Sequence, residues 1–230
     1  MLDGLNSRKG NNDSGDGRRT LNLWFPGLPS QPTWPVDTIG GTPDFWHRAG
    51  QIALAEYKAA LRTISTEGYE SEETARHVHE LVGEQFTTPL EQGWQAMPLL
   101  RDGCWRMEAA PLCPATVAML DQVSLYPGDA MFSVLHKSTE IPMHHGLDNL
   151  TLTVHLPLIV PENCGIEVNG REYRWNEFEP YIFDDSYRHR AWNAGAAERI
   201  VFLFDIWHPN LTNREVAALR HIWRGLVRKR

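Results

Sequence analysis

Two histidines in strand-like surroundings are the side chains of this chain best placed to do chemistry. His144 lies in Pro142-Met143-His144-His145-Gly146, and His189 ends Phe183-Asp184-Asp185-Ser186-Tyr187-Arg188-His189. Arg199 follows ten residues later, at the head of the apolar run Ile200–Ile206. Imidazoles from separate strands suit a divalent metal such as Fe(II), and a guanidinium close behind can grip a carboxylate with two parallel hydrogen bonds. A mononuclear iron centre using a 2-oxo acid co-substrate requires such a donor set. The usual third ligand, a carboxylate two residues after the first histidine, is absent because that position is Gly146. The imidazoles are expected to reach one metal from opposite walls of a rolled sheet.

Plainer roles compete at each position. Ten histidines are scattered through the chain, and one taken alone is more often hydrogen-bonded or exposed than ligating. Context favours His144 and His189 through the glycine after His145, the polar Asp184-Asp185-Ser186 turn, and Arg199. An arginine beside an apolar strand needs an anionic partner. Asp184, Asp185 and Asn149 could fix the imidazole tautomers, although the aspartate pair could equally cap a turn. His208 precedes Pro209, which forces an exit from the sheet, and it reads as structural. His77 and His79, two apart on a helical segment, point to different faces and read as surface or core-edge residues. Trp24, Phe25, Trp34 and Trp192 could line a substrate mouth, with core packing the blander role.

The elements that must position these residues change in texture along the chain. Residues 1–20 are too polar to bury and predict a disordered tail. Leu21–Pro35 reads as an extended, proline-rich segment. Apolar spacing of three and four predicts a helix through Trp46, Ala49, Ile52, Ala53, Tyr57, Ala60, Leu61 and Ile64, with Asp44 as its cap. A second helix is expected over Glu72–Phe86 and a short one over Pro111–Val123, so that about 44–123 forms a helical part. From Ser124 onward the chain reads as strands: Ala130–Lys137, Leu150–Ile159, Gly165–Val168, Glu172–Trp175, Tyr181–Asp184, His189–Asn193 and Arg199–Trp207. Asn169-Gly170 signals a hairpin. Glu215–Arg228 reads as a closing helix. The fold class is therefore mainly β with flanking helices, an antiparallel sandwich or jelly roll, with 21–230 as a single domain.

Composition sets outer bounds. A length of 230 residues suits one buried domain. The net charge of -7 argues against nucleic acid as a partner, and the basic cluster at Arg224–Arg230 reads as a solvated helix end. Three cysteines, Cys104, Cys113 and Cys164, form no CxxC pair and suit a reducing compartment. No run reaches the roughly 18 apolar residues of a membrane span, and no signal-type apolar region opens the chain, so a cytoplasmic protein without a membrane partner is expected.

Four segments resemble the aspartyl/asparaginyl β-hydroxylase family: Ile141–Gly146, Leu152–Leu156, Ile182–Trp192 and Arg199–Pro209. The likeness runs from about Trp94, through Leu112-Cys113-Pro114-Ala115-Thr116, to Leu211. It implies a double-stranded β-helix and Fe(II)- and 2-oxoglutarate-dependent oxygenase activity consuming O2. It also implies that His144 and His189 are the iron ligands. Gly146 falls where the family too lacks the carboxylate. By the same resemblance, Ser133 and Arg199 bind the distal carboxylate of 2-oxoglutarate and His155 belongs to the co-substrate pocket. One departure stands out. The human-type member carries an arginine two residues before that last histidine, and this chain has Thr153, so the pocket lacks a cation there.

The leading expectation is a hydroxylase acting on an amino acid, peptide or small metabolite, free or carrier-bound, in secondary metabolism. An Asp or Asn β-carbon is the first substrate. The same cofactor chemistry could instead give halogenation, desaturation or cyclisation. A non-catalytic cupin-like binding module would take up no iron, and a zinc hydrolase is disfavoured because two histidines without a carboxylate hold Zn2+ poorly.

Overall fold

Side-chain parity along the long strands decides the architecture. The computed structural model describes residues 24–67, 93–101, 103–146 and 148–227. Its strands are β1 (Thr33–Trp34), β2 (Trp94–Arg101), β3 (Cys104–Trp105), β4 (Leu125–Leu135), β5 (Thr139–His144), β6 (Thr151–Ile159), β7 (Cys164–Val168), β8 (Arg171–Tyr173), β9 (Tyr181–Phe183), β10 (His189–Asn193) and β11 (Arg199–Trp207). Among the described residues the α-helices are α1 (Pro43–Glu67), α2 (Pro114–Leu120) and α3 (Asn213–Val227). The tail expected at 1–20 and the helix expected over 72–86 lie outside the described residues.

Among the described residues, seven strands in the order β1-β9-β6-β11-β4-β2-β3 make one sheet, and β5-β10-β7-β8 make a second. All pairings are antiparallel. The two sheets form the expected double-stranded β-helix, mainly β with flanking helices. Even-numbered residues of β6, of β11 and of β4 from Ala130 onward, among them Phe132, Leu152, Val154, Leu156, Phe202 and Phe204, are buried in one cluster with Trp46, Ala53, Tyr57 and Ala60 of α1. Phe132 lies 4.9 Å from both the Tyr57 and Phe202 rings. Each such side chain removed from water contributes about 1.5–3 kcal/mol. Because side chains alternate across a strand, the odd-numbered residues of these strands turn to the interior between the sheets.

Several expectations shift in detail. Ile52 and Leu61, placed on the buried stripe of α1 by spacing, are exposed, since the sheet contacts a narrower face. β2 lacked a sequence signal because Pro98 interrupts it. The strand tolerates that proline by shifting register between Pro98 and Leu100. The Asn169-Gly170 hairpin forms between β7 and β8, with φ of 50° and 75° at its two central residues, as a primed turn demands. Thr212 and Glu215 cap α3 reciprocally: the Thr212 N–H donates to Glu215 Oε2 at 2.8 Å, and the Glu215 N–H donates to Thr212 Oγ1 at 3.3 Å. No described helix is long and apolar enough to cross a membrane.

Glu56 of α1 ties the helical layer together. Its carboxylate accepts hydrogen bonds from the Ala115 and Thr116 N–H groups and the Thr116 hydroxyl, at 2.6–2.9 Å, at the start of α2. A carboxylate there satisfies otherwise unpaired donors and complements the helix dipole. Glu56→Ala is expected to destabilise the fold by about 1–2 kcal/mol, and Glu56→Gln by less, because the amide keeps one acceptor. Denaturant midpoints at constant slope check this, and an unchanged midpoint for Glu56→Ala would contradict it.

Candidate metal and co-substrate site

β5 and β10 are neighbours in the four-stranded sheet, and their register sets His144 directly opposite His189. The imidazole centroids are 4.1 Å apart. The two histidines therefore come from adjacent strands of one wall, not from opposite walls as expected. The pairing shifts register just after His189, and this irregularity helps aim the ring inward. The tautomers are set by the backbone. His144 Nδ1 donates to the Pro142 carbonyl at 2.7 Å, and His189 Nδ1 donates to the Tyr187 carbonyl at 2.9 Å. A carbonyl can only accept, so Nδ1 carries the proton and Nε2 carries the lone pair a metal would use. Burial pushes His144 down to about 4, helped by His145. Burial, then the neighbouring His144, holds His189 well below the ordinary histidine range. Both rings are neutral at physiological pH, as ligation requires.

The facing wall belongs to the seven-stranded sheet. Ser133 on β4, Thr153 and His155 on β6, and Arg199, Leu203 and Asp205 on β11 line a cavity of about 390 Å³ together with His144 and His189. Arg199 is 1% exposed, yet none of its three guanidinium nitrogens has a hydrogen-bond partner. Its face lies 5.3 Å from the Trp175 ring, and burial lowers its pKa to about 10, so it stays charged. A buried charge without an acceptor costs several kcal/mol, and a bound carboxylate would offset that cost. His155, held neutral with a pKa of about 3 by burial and then by Arg199, also has an unpartnered Nδ1. Trp94 Nε1 donates to Ser133 Oγ at 2.8 Å, which leaves the serine proton to be donated elsewhere.

Gly146 and Asp185 explain the missing third carboxylate physically. The Gly146 N–H donates to the Asp185 carbonyl at 2.7 Å. A Cβ at Gly146 would collide with the Asp185 carboxyl group, whose Oδ1 would lie 2.6 Å away. Position 146 cannot carry a side chain while Asp185 keeps its place. Asp185 thus faces the site, but the other two residues expected to orient imidazoles do not. Asn149 brackets the Phe25 backbone, and Asp184 accepts from Ser30 Oγ and the Ser186 N–H within a turn. Each imidazole found a carbonyl two residues before it instead. His208 is structural as expected, donating from Nε2 to the Pro29 carbonyl at 2.9 Å.

A family model described as aspartyl/asparaginyl beta-hydroxylase matches residues 52–209. The chain belongs to this family. Aspartate beta-hydroxylase domain-containing protein 2 of Xenopus tropicalis is 30% identical over 213 residues, covering 87% of this chain and 54% of that protein. Ornithine lipid ester-linked acyl 2-hydroxylase of Rhizobium tropici is 34% identical over 195 residues, covering 83% of this chain and 65% of that protein. A solved oxidoreductase of the 2OG-Fe(II) oxygenase family from Burkholderia pseudomallei superposes with a TM-score of 0.42 at 14% identity, over 64% of this chain and 82% of that chain. The chain spans about half the length of relatives such as the Xenopus protein.

In this β-hydroxylase family member, all six residues singled out by sequence, His144, His189, Arg199, Ser133, His155 and Thr153, line the one cavity. None of the four aromatics expected at its mouth does so. Trp34 instead packs edge-on to His208, and Trp192 stacks under Arg190. Sequence reasoning missed Trp94, Tyr126, Asp129, Asp148 and Asp205, which also line the cavity. Asp205 had a usable signal, because an acid inside an otherwise apolar strand needs a reason. Its hydrogen bond from Thr153 Oγ1 is 2.9 Å. Burial, then Asp129 and Asp148, pushes its carboxyl from 3.8 up to about 7. An acid raised this way is protonated in the fold but ionised in the unfolded chain, so stability falls as pH rises from about 4 to about 7. Asp205→Asn keeps the acceptor for Thr153 and is expected to raise Tm at about pH 8 far more than at about pH 4. An equal gain at both would show that charge is not the cause.

Proposed function

We propose that this chain is an Fe(II)- and 2-oxoglutarate-dependent dioxygenase that hydroxylates an unactivated C–H of an amino acid, peptide or small metabolite. One observation carries the reading: a buried guanidinium without an acceptor shares a cavity with two adjacent neutral imidazoles. The donor set fits the cofactors. His144 and His189 would hold Fe(II) through Nε2, and imidazole suits that metal. Arg199, with the Ser133 hydroxyl, would bind the distal carboxylate of 2-oxoglutarate in bidentate fashion. Bound Fe(II), 2-oxoglutarate and O2 supply the oxidising power to break such a C–H bond, with release of succinate and CO2.

The chain's own residues prepare that chemistry. The Pro142 and Tyr187 carbonyls hold both imidazoles in the ligating tautomer, and Trp94 donates to the Ser133 oxygen, which leaves that hydroxyl's own proton for the co-substrate. Ile141, Ile166, Phe183 and Leu203 give the cavity between the sheets an apolar part of its lining, and low-polarity surroundings strengthen the Arg199–carboxylate attraction.

Anaerobic reconstitution tests this reading through the weak visible absorption of an Fe(II)–2-oxoglutarate chelate. His144→Ala or His189→Ala is expected to abolish iron binding and succinate formation. Arg199→Ala is expected to raise the 2-oxoglutarate requirement by about thirtyfold or more, the equivalent of about 2 kcal/mol for a buried charge pair. Full turnover by the His189 variant would refute the ligand assignment.

A further inference from the structure

The cavity is polarised along its length. Arg199, Leu203 and Asp205 share one face of β11, and both ends of that row line the cavity. Arg199 and Asp205 are six positions apart, about 20 Å of strand at about 3.3 Å per residue. Met131 and Leu203, paired across β4 and β11, form an apolar waist between them. At the end remote from Arg199, Asp205 is joined by Asp148, from the loop before β6, and by Asp185, from the turn after β9.

These three acids are served by neutral donors or by none. Asp205 accepts from the Thr153 hydroxyl, and Asp148 accepts from the Leu150 N–H at 2.8 Å. No ion pair among the described residues reaches any of the three. Arg199 is the only Lys or Arg on the described lining of the cavity. Burial raises each carboxyl above its ordinary range, helped by Asp184 at Asp148, by Asp205, Asp148 and Asp184 at Asp185, and by Asp129 and Asp148 at Asp205. Like charges gathered in a half-dry space oppose folding, so their positions answer to a ligand more readily than to stability.

A second feature shows independently that this cavity is built around a ligand. Arg199, 1% exposed, presents three unpartnered nitrogens to it, and His155 Nδ1 is equally unpartnered. With the anionic co-substrate drawn to Arg199, whatever lies beyond the iron position meets carboxylates. An Asp side chain would be repelled there.

We propose that the substrate is a cation, whose ammonium or guanidinium group is held by Asp205 and Asp148 at the end of the cavity opposite Arg199. This replaces the aspartate side chain expected from sequence, and it rests on the dioxygenase reading above. Asp185, packed against Gly146 two residues from His144, completes the acidic lining of that end of the cavity.

Four probes matched in backbone test the proposal: the N-acetyl amides of lysine, arginine, aspartate and asparagine. Binding is read from perturbation of the Fe(II)–2-oxoglutarate absorption under argon, and separately by saturation-transfer NMR on the metal-free protein. The lysine or arginine probe is expected to bind about tenfold or more tightly than the aspartate and asparagine probes, with affinity falling as salt rises. Asp205→Asn and Asp148→Asn both keep their acceptor oxygens, and each is expected to weaken the cationic probe about tenfold without changing 2-oxoglutarate affinity to the same degree. Equal affinity across the four probes, no binding by either cation, or cation affinity indifferent to both variants would overturn the proposal. If the chelate absorption never forms, the dioxygenase reading fails by itself, while the NMR comparison still decides the charge preference.

Discussion

The pairing of β5 with β10 places two imidazoles side by side, and most of the site follows from that register. Strand side chains alternate, so a slip of one residue would turn His144 or His189 to the other face of the sheet and separate the rings. The backbone then does what side chains do in many metal sites. Carbonyls of Pro142 and Tyr187 take the Nδ1 protons, and burial removes any competing proton from Nε2. Orientation by backbone leaves Asp185 for another task beside Gly146.

The same alternation gives the opposite sheet two distinct faces. Even-numbered residues of β6, of β11 and of β4 from Ala130 onward pack under α1, while odd-numbered ones present Ser133, His155, Arg199 and Asp205 to the cavity. A well-packed layer of Phe132, Phe202 and Phe204 stands directly behind a face that carries an unpartnered arginine and repelling acids. The stability lost on one face is offset by burial on the other. Such a division is what a binding site needs, because groups poised for a ligand are rarely satisfied without it.

Strand content, the jelly-roll architecture and six cavity residues were legible in the sequence, through short β-branched runs and a few specific segments. What stayed hidden depended on contacts between distant segments. That His144 and His189 share one wall follows from pairing order, which periodicity does not encode. The role of Asn149 changed because Phe25, far away in sequence, offered both backbone groups to its amide. Trp94 was missed as a positioning residue because its reach to Ser133 requires β2 and β4 to be neighbours. The acidic end of the cavity escaped notice because Asp148, Asp185 and Asp205 come from three separate segments that only the closed barrel gathers.

Iron and 2-oxoglutarate should stabilise each other's binding in this geometry, since one chelates the other while Arg199 grips the far carboxylate. Anaerobic calorimetric titration of 2-oxoglutarate into the protein, with and without Fe(II), measures that coupling directly. The predicted result is one Fe(II) per chain and 2-oxoglutarate affinity strongly enhanced by the metal. Iron uptake that is absent, or co-substrate affinity indifferent to iron, would contradict the account.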